Sequence, residues 1–193
     1  MIQVTSQVMI ARFLLLASTL VHARSNFTNV TAGGPTYWTP TADGPSARDG
    51  HATSSLGNGK VLIYGGCSDR FPSEGGSACN NPLNDAWIFS LSTNEETGEE
   101  TGTWTKTQDG PSTRVAHAMS SLGNSTVLMY GGCSGNESRC NNPLNDAYIF
   151  TLSTNEETGE ETGTWTKTAH GPSARSDHAM SSLGNGKVLM YGG

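Results

Sequence analysis

GPSARDGHATSSLGNGKVLIYGG, residues 44–66, opens the stretch of sequence that decides the fold, and the stretch continues through LNDAWIFSL (83–91) to GTWTKT (102–107). Close copies of these three segments return at residues 110–132, 144–152 and 163–168, and the first of them returns again at 171–193. Repetition at such a period is typical of proteins in which every copy folds as one supersecondary unit. We therefore predict complete units at about 44–107 and 110–168 and a partial unit at 171–193.

Each unit is predicted to contain four short strands, A to D. In the first unit strand A covers about residues 51–55, strand B 60–64, strand C 85–91 and strand D 103–107. Asn58-Gly59 between strands A and B indicates a tight hairpin, because both residue types tolerate a positive φ. No segment has a sustained helical period. Four antiparallel strands per repeat are typical of a β-propeller blade, so the predicted fold class is all-β.

The units resemble the kelch repeat over residues 37–193. The positions that carry the resemblance are Arg48, His51, Gly65, Gly66, Asp85, Trp87 and Trp104 in the first unit, and Arg114, His117, Gly131, Gly132, Asp146, Tyr148 and Trp165 in the second. One departure from the family is a longer loop between strands C and D. The resemblance implies kelch-type propeller blades and a module that binds a protein or a carbohydrate.

The segment 36–41 is predicted to be a detached D strand. Trp38 precedes Pro45 by the same interval that separates the tryptophan of each complete unit from the proline of the next. The resemblance implies that such a strand closes the ring by completing a blade whose other strands come from the C-terminus. Since propellers usually have 4–8 blades, we predict that the chain is incomplete, and that it self-associates or is completed by further blades.

The N-terminus has the pattern of a secretory signal. Arg12 precedes the apolar run Phe13–Val21, and small residues lead to a predicted cut after Ala23. This run is too short to span a bilayer, which needs about 20 apolar residues; the alternative is a buried N-terminal strand or short helix. We predict a signal peptide at 1–23, a polar linker at 24–36, a secreted protein and no membrane anchor.

Cysteines and glycosylation triplets fit an extracellular location. Each complete unit contains two cysteines, and paired cysteines on a secretory chain indicate disulfides, although four cysteines allow three pairings. N-x-[ST] triplets are acceptors for N-glycans in secreted chains. The cysteines are Cys67, Cys79, Cys133 and Cys140, and the predicted glycan acceptors are Asn26, Asn29, Asn124 and Asn136.

Length variation indicates a candidate binding surface. The units differ in length between their cysteines, in the B–C loop, which in an up-and-down blade shares one face of the propeller with the D–A loops. Variable loops on a rigid scaffold commonly bind partners; the alternative is a loop held by its disulfide for stability alone, by about 3 kcal/mol. The acidic C–D loops, residues 94–100 and 155–161, are predicted to be solvated, with calcium binding as the alternative.

No catalytic, cofactor or metal site is predicted. The histidine of each unit recurs at one framework position, which favours a structural role over metal ligation. The formal charge of −6 without a basic cluster argues against nucleic-acid binding. We predict a secreted interaction module without catalysis. The alternative is a fragment of a copper-radical oxidase resembling galactose oxidase, a family that needs a Tyr–Cys crosslink.

Overall fold

The computed structural model describes residues 26–27, 39–73, 76–134, 140 and 142–193. The described residues form sixteen strands and no helix, and therefore contain no helix long and apolar enough to cross a membrane. In chain order the strands are β1 Asn26–Phe27, β2 Thr39–Pro40, β3 Ala52–Gly57, β4 Lys60–Tyr64, β5 Arg70–Ser73, β6 Gly76–Cys79, β7 Ala86–Thr93, β8 Glu100–Lys106, β9 Arg114–Val115, β10 Ala118–Gly123, β11 Thr126–Tyr130, β12 Cys133–Ser134, β13 Ala147–Thr154, β14 Glu161–Lys167, β15 Ala179–Gly184 and β16 Lys187–Tyr191.

Two four-stranded antiparallel sheets form the complete blades. Blade 1 has the strand order β3-β4-β7-β8 and blade 2 the order β10-β11-β13-β14, while β15 and β16 form a hairpin, blade 3. The sheets confirm the all-β class and the kelch-type blades. The D strands β8 and β14 begin earlier than predicted, because strand C continues far enough for Thr93 to pair with Glu100 and Thr154 with Glu161. Part of the extra C–D length therefore extends the hairpin.

The A–B turns have the backbone that the sequence predicts. In blade 1 the φ angles are 50° at Asn58 and 70° at Gly59. Blade 3 repeats this turn, with 52° at Asn185 and 70° at Gly186. Both central residues of a type I′ turn need a positive φ, and the right-handed twist of the strands favours that turn type. The hairpins are thus set by local sequence.

The core lies between blades 1 and 2. Tyr64 of blade 1 is fully buried, and its ring lies 4.9 Å from the ring of Trp165 in blade 2, which in turn lies 5.0 Å from Phe150. The tryptophan of strand D therefore closes the space between its own blade and the preceding one. The buried core residues are Ala52, Leu56, Leu62, Tyr64, Ala86, Ile88, Met119, Val127, Met129, Phe150 and Leu152.

Thr41, the residue that follows β2, lies beside blade 1. It approaches Gly102 of blade 1, as Thr107 approaches Gly163 of blade 2. This equivalence is what the predicted D-type role of segment 36–41 requires, although Trp38 itself lies outside the described residues. The predicted signal at 1–23 also lies outside them. Of the predicted linker only β1 is described, and it pairs with β2.

Blade 3 exposes side chains whose counterparts are buried in blade 1. Leu189 is 55% and Tyr191 82% exposed, whereas Leu62 and Tyr64 are fully buried. Between blades 2 and 3 an apolar cavity of about 240 Å³ lies beside Tyr130. Tyr130 is the counterpart of Tyr64, so this cavity corresponds to the space that Trp165 occupies one blade earlier.

Candidate functional site

The described residues of the B–C loops (65–73, 76–85, 131–134, 140 and 142–146) and of the D–A loops (41–51, 107–117 and 168–178) are hydrogen-bonded between neighbouring blades into one surface, called here the loop face. The Gly66 amide donates to the Arg114 carbonyl at 2.9 Å, and the Ala116 amide donates to the Gly50 carbonyl at 2.8 Å. Blades 2 and 3 repeat both bonds through Gly132 and Asp177. Backbone hydrogen bonds therefore connect the loops of each blade to the loops of the next.

A disulfide joins the two cysteines of each complete unit. The structure pairs Cys67 with Cys79 and Cys133 with Cys140, with Cα–Cα distances of 5.8 and 5.5 Å. The larger loop contains the hairpin of β5 and β6. Cys67 also exchanges two backbone hydrogen bonds with Asp49, at 2.9 and 3.0 Å, which ties the first B–C loop to a D–A loop.

Exposed polar side chains lie at the described ends of the first B–C loop. Arg70 forms an ion pair with Asp49 at 2.5 Å, and the Asn80 amide donates to Asp69 at 3.2 Å. A shallow cleft of about 280 Å³ lies between this loop and the preceding D–A loop. It is lined by Ala47, Arg48, Asp49, Cys67, Ser68 and Arg70. Fixed polar groups of both charges around a cleft can bind a polar partner surface.

The framework arginines hold the loops onto the strands. In blade 1 the Arg48 guanidinium makes two parallel hydrogen bonds to Asp85, at 2.6 and 2.9 Å, and donates to the Gly65 carbonyl at 3.0 Å. Burial acts to raise the pKa of Asp85, but the hydrogen bonds from Arg48 and Trp87 outweigh it, so this pKa lies below its usual value. Asp85 therefore stays ionised at neutral pH, and its pair with Arg48 serves the scaffold.

Blade 2 repeats this ion pair with deeper burial of the arginine. Arg114 bonds Asp146 at 2.9 and 3.0 Å and the Gly131 carbonyl at 2.9 Å, and its side chain is 1% exposed. Burial acts to lower the pKa of Arg114, yet the bond to Asp146 raises it above its usual value. Tyr148, at the position of Trp87, lies under the guanidinium, 5.8 Å from its ring centre. Such a cation–π contact adds to the pair.

Two of the framework histidines, His117 and His178, lie between blades. The His117 ring is 5.0 Å from Tyr64 of the preceding blade and edge-on to it, and His178 is placed similarly, 5.5 Å from Tyr130. Burial, followed by the charge of Arg114, lowers the pKa of His117 to about 3, so the ring is neutral at pH 7. His51 of the first unit is exposed. Among the described residues, no group of three or more His, Cys, Asp or Glu could hold a metal ion.

In blades 1 and 2 the first glycine of the Gly-Gly pair makes room for the next blade. A Cβ on Gly65 would lie 2.8 Å from the Arg114 carbonyl and 3.1 Å from the His117 ring, and Gly65 also has a φ of 65°. Gly131 lies against His178 in the same way. The Arg, His and Gly-Gly positions of the repeat are thus one packing unit between blades, which sequence spacing alone did not reveal.

The acidic C–D loops lie on the opposite face of the blades. In the first, the Asn94 side chain accepts hydrogen bonds from the amides of Glu96 and Thr97 at 2.9 and 3.0 Å, and Asn155 forms the same turn in the second. The carboxylates of Glu95, Glu96 and Glu99 in the first loop are exposed, as are those of Glu156, Glu157 and Glu160 in the second, while Glu100 is half-buried. Glu161 at the end of the second loop pairs with Lys60 of blade 1 at 2.8 Å. The turn is held by its asparagine rather than by convergence of carboxylates.

Comparison with known proteins agrees with this architecture. The family model described as the KLHDC2/KLHL20/DRC7 Kelch-repeats domain matches residues 28–193. Adagio-like protein 1 of Oryza sativa subsp. japonica is 28% identical over 158 residues, which are 77% of this chain and 22% of that protein. Adagio protein 3 of Arabidopsis thaliana is 27% identical over 162 residues, 81% of this chain and 23% of that protein. The chain thus spans less than a quarter of the length of these relatives.

A solved structure shares the fold at low identity. It is a fungal alcohol oxidase of the AA5 family, in complex with copper, and it superposes with a TM-score of 0.55. The match covers 82% of this chain and 30% of that chain at 15% identity, which is a likeness of fold. Because the family match covers most of the sequence and the blades have the expected strand order, this chain belongs to the kelch-repeat family.

Proposed function

We propose that this chain is an extracellular binding module that recognises a protein or a carbohydrate through its loop face and has no catalysis of its own. Kelch-repeat domains generally mediate protein interactions. The extracellular location rests on the N-terminal pattern and is supported by the two disulfides, since disulfides persist in oxidising compartments.

The observation that carries the proposal is that the framework residues and the B–C loops differ in what they do. Framework arginines, histidines and glycines are used in contacts between or within blades, whereas the B–C loops change length on that constant frame. The loops are covalently closed and tied to their neighbours, so ordering them on binding costs little entropy. Exposed Asp69, Arg70 and Asn80 lie where a partner would touch them.

The oxidase alternative is less well supported. Its Tyr–Cys crosslink needs a cysteine, and all four cysteines of this sequence are in the two disulfides. Copper titration with a galactose oxidase assay tests this alternative. Stoichiometric copper together with peroxide release would contradict the proposed function.

The loop face is tested by matched surface variants. Partners are first captured on the immobilised protein from the extracellular fraction of its source and purified, and their affinity is then measured by surface plasmon resonance. Arg70→Ala and Asn80→Ala should each weaken binding, Arg70→Ala by about tenfold or more, as for a hot-spot arginine. Glu96→Ala and Glu157→Ala, on the opposite face, serve as controls. Weakened binding by the glutamate variants alone would refute the proposal.

The proposal includes an assembly step. The exposed Leu189 and Tyr191 and the open cavity beside Tyr130 support self-association of residues 24–193 when these are expressed alone, or their completion by further blades. Exposed strand edges and apolar sheet faces promote such pairing. Sedimentation velocity of this polypeptide should show oligomers, and a stable, well-folded monomer would contradict the assembly step.

A further inference from the structure

The A–B turn of blade 2 differs from the other two A–B turns in one chemical respect. It has Asn124-Ser125-Thr126 where blade 1 has Asn58-Gly59-Lys60 and blade 3 has Asn185-Gly186-Lys187. Only the first of these triplets satisfies the N-x-[ST] rule for N-linked glycosylation. We propose that Asn124 carries an N-linked glycan. This inference rests on the extracellular part of the proposed function.

The structure places Asn124 at the tip of the turn. The residue is exposed, and its amide makes no hydrogen bond to the described residues. Its φ is 50°, the value at Asn58, so the three asparagines share one backbone conformation. Asn124 is the one predicted acceptor whose side chain the structure describes: only the backbone of Asn26 is described, and Asn29 and Asn136 lie outside the described residues.

The turn is fixed by its neighbours rather than by the asparagine side chain. The Ser125 carbonyl accepts a hydrogen bond from the Leu152 amide at 3.0 Å, and the Thr126 hydroxyl donates to the Gly123 carbonyl at 2.5 Å. A sugar on Asn124 would therefore displace no contact that holds the blade. Since bulky, hydrophilic glycans belong on surfaces, this turn can carry one while the blade stays folded.

Ser125 occupies a position of the turn whose backbone conformation favours glycine. Its φ is 56°, in a position that glycine fills in the other two blades. A Cβ at the equivalent Gly59 would lie 3.0 Å from the Leu91 carbonyl, which is tighter than ordinary contact. Serine is not needed for the acceptor triplet, because glycine is also allowed between Asn and Thr. Thr126, which replaces a lysine, is the residue that creates the site.

The position of the turn bears on partner binding. A–B turns and C–D loops lie at the ends of the strands opposite to the B–C and D–A loops. A glycan on Asn124 would consequently cover the face that carries the acidic turns and leave the loop face open. The modification and the proposed binding surface are compatible on one molecule.

The test is site-specific glycan mapping of the whole chain secreted from yeast behind a heterologous signal, which separates acceptor use from native targeting. Peptides are released after peptide-N-glycosidase treatment in ¹⁸O-water and analysed by mass spectrometry. We expect Asn124 to be occupied in the wild type and in Ser125→Gly, and unoccupied in Thr126→Lys. Lys187→Thr completes an acceptor triplet in the equivalent turn and should gain a glycan at Asn185.

The proposal would be overturned if Asn124 is unmodified in the secreted wild-type protein while Asn185 is glycosylated in the Lys187→Thr variant. The second result would show that the host glycosylates an acceptor in this type of turn. Thermal unfolding of enzymatically deglycosylated protein should match that of glycosylated protein, and loss of folding on glycosylation would also overturn the proposal. Failure of the loop-face variants to weaken binding would count against the proposed function and leave the glycan at Asn124 in place.

Discussion

Replacing Asp146 by alanine tests whether the repeated Arg–Asp pair is a buried element of the scaffold. The Arg114 side chain is 1% exposed and Asp146 19% exposed. Without the carboxylate, the guanidinium keeps the Gly131 carbonyl and the Ser112 hydroxyl, at 2.9 and 2.8 Å, but loses its counter-charge. Leaving one charge of a buried ion pair without its partner lowers the free energy of unfolding by about 3–5 kcal/mol. Because Asp146 is partly exposed, we expect a loss at the lower end of this range, about 3 kcal/mol.

The assay is urea unfolding at neutral pH, followed by tryptophan fluorescence and far-UV circular dichroism. The matched control is the double variant Arg114→Met and Asp146→Leu, which leaves neither charge unpaired. It should be less destabilised than Asp146→Ala, because apolar replacement of a whole buried pair is often close to neutral. Asp85→Ala in blade 1 should reproduce the loss, since Arg48 is also nearly buried, at 3%.

If Asp146→Ala lowers the free energy of unfolding by less than about 1 kcal/mol, the value of a surface ion pair, the pair is not a buried element of the scaffold. The prediction would equally be wrong if the double variant lost as much stability as the single one. The first result would mean that solvent screens the pair, and the second that the side-chain shapes, rather than the charges, hold the loop.

Three further predictions concern other parts of the scaffold. Gly65→Ala should cost about 1–3 kcal/mol through strain and a clash with a carbonyl of blade 2, and more in urea unfolding than Gly57→Ala, which has a positive φ but open space. The pKa of His117 is about 3 in the folded state and 6.5 in the unfolded state, so its contribution to the free energy of unfolding is full above pH 6.5 and falls towards pH 3, by about 1.4 kcal/mol per pH unit. His117→Phe should flatten this dependence of stability on pH, and an unchanged slope would contradict the prediction. Replacing Cys67 and Cys79 by serine should lower the unfolding free energy by about 3 kcal/mol, and an unchanged midpoint would show that the loop is held without its disulfide.

Local sequence was sufficient for the four main strands of each complete blade and for the A–B turns. Alternation along the strands and the Asn-Gly pairs act over a few residues, and the internal copies give the same prediction in each unit. The ends of the C and D strands were placed less well, because Thr93 and Glu100 have no local strand signal and pair only once the hairpin has formed. The hairpin of β5 and β6 inside the first disulfide loop was also missed.

For the candidate site, the sequence located the loops but not their attachments. It placed the B–C and D–A loops on one face from the order of strands in an up-and-down sheet. It assigned the histidines a structural role without finding Tyr64 and Tyr130 as their neighbours. The Gly50, Ala116 and Asp177 positions, which link successive blades by backbone hydrogen bonds, had no signal, since they share no residue type.

The sequence by itself determined that this protein is a row of repeated antiparallel blades, because period, turn residues and family marks are all properties of neighbouring residues. The tertiary structure decided which distant groups meet. Arg48 and Asp85 are 37 residues apart, and four cysteines allow three pairings until the chain brings each pair within bonding distance. Such contacts depend on how one blade stacks on the next, and stacking is fixed by the packing of Tyr64, His117 and Trp165 rather than by any local preference.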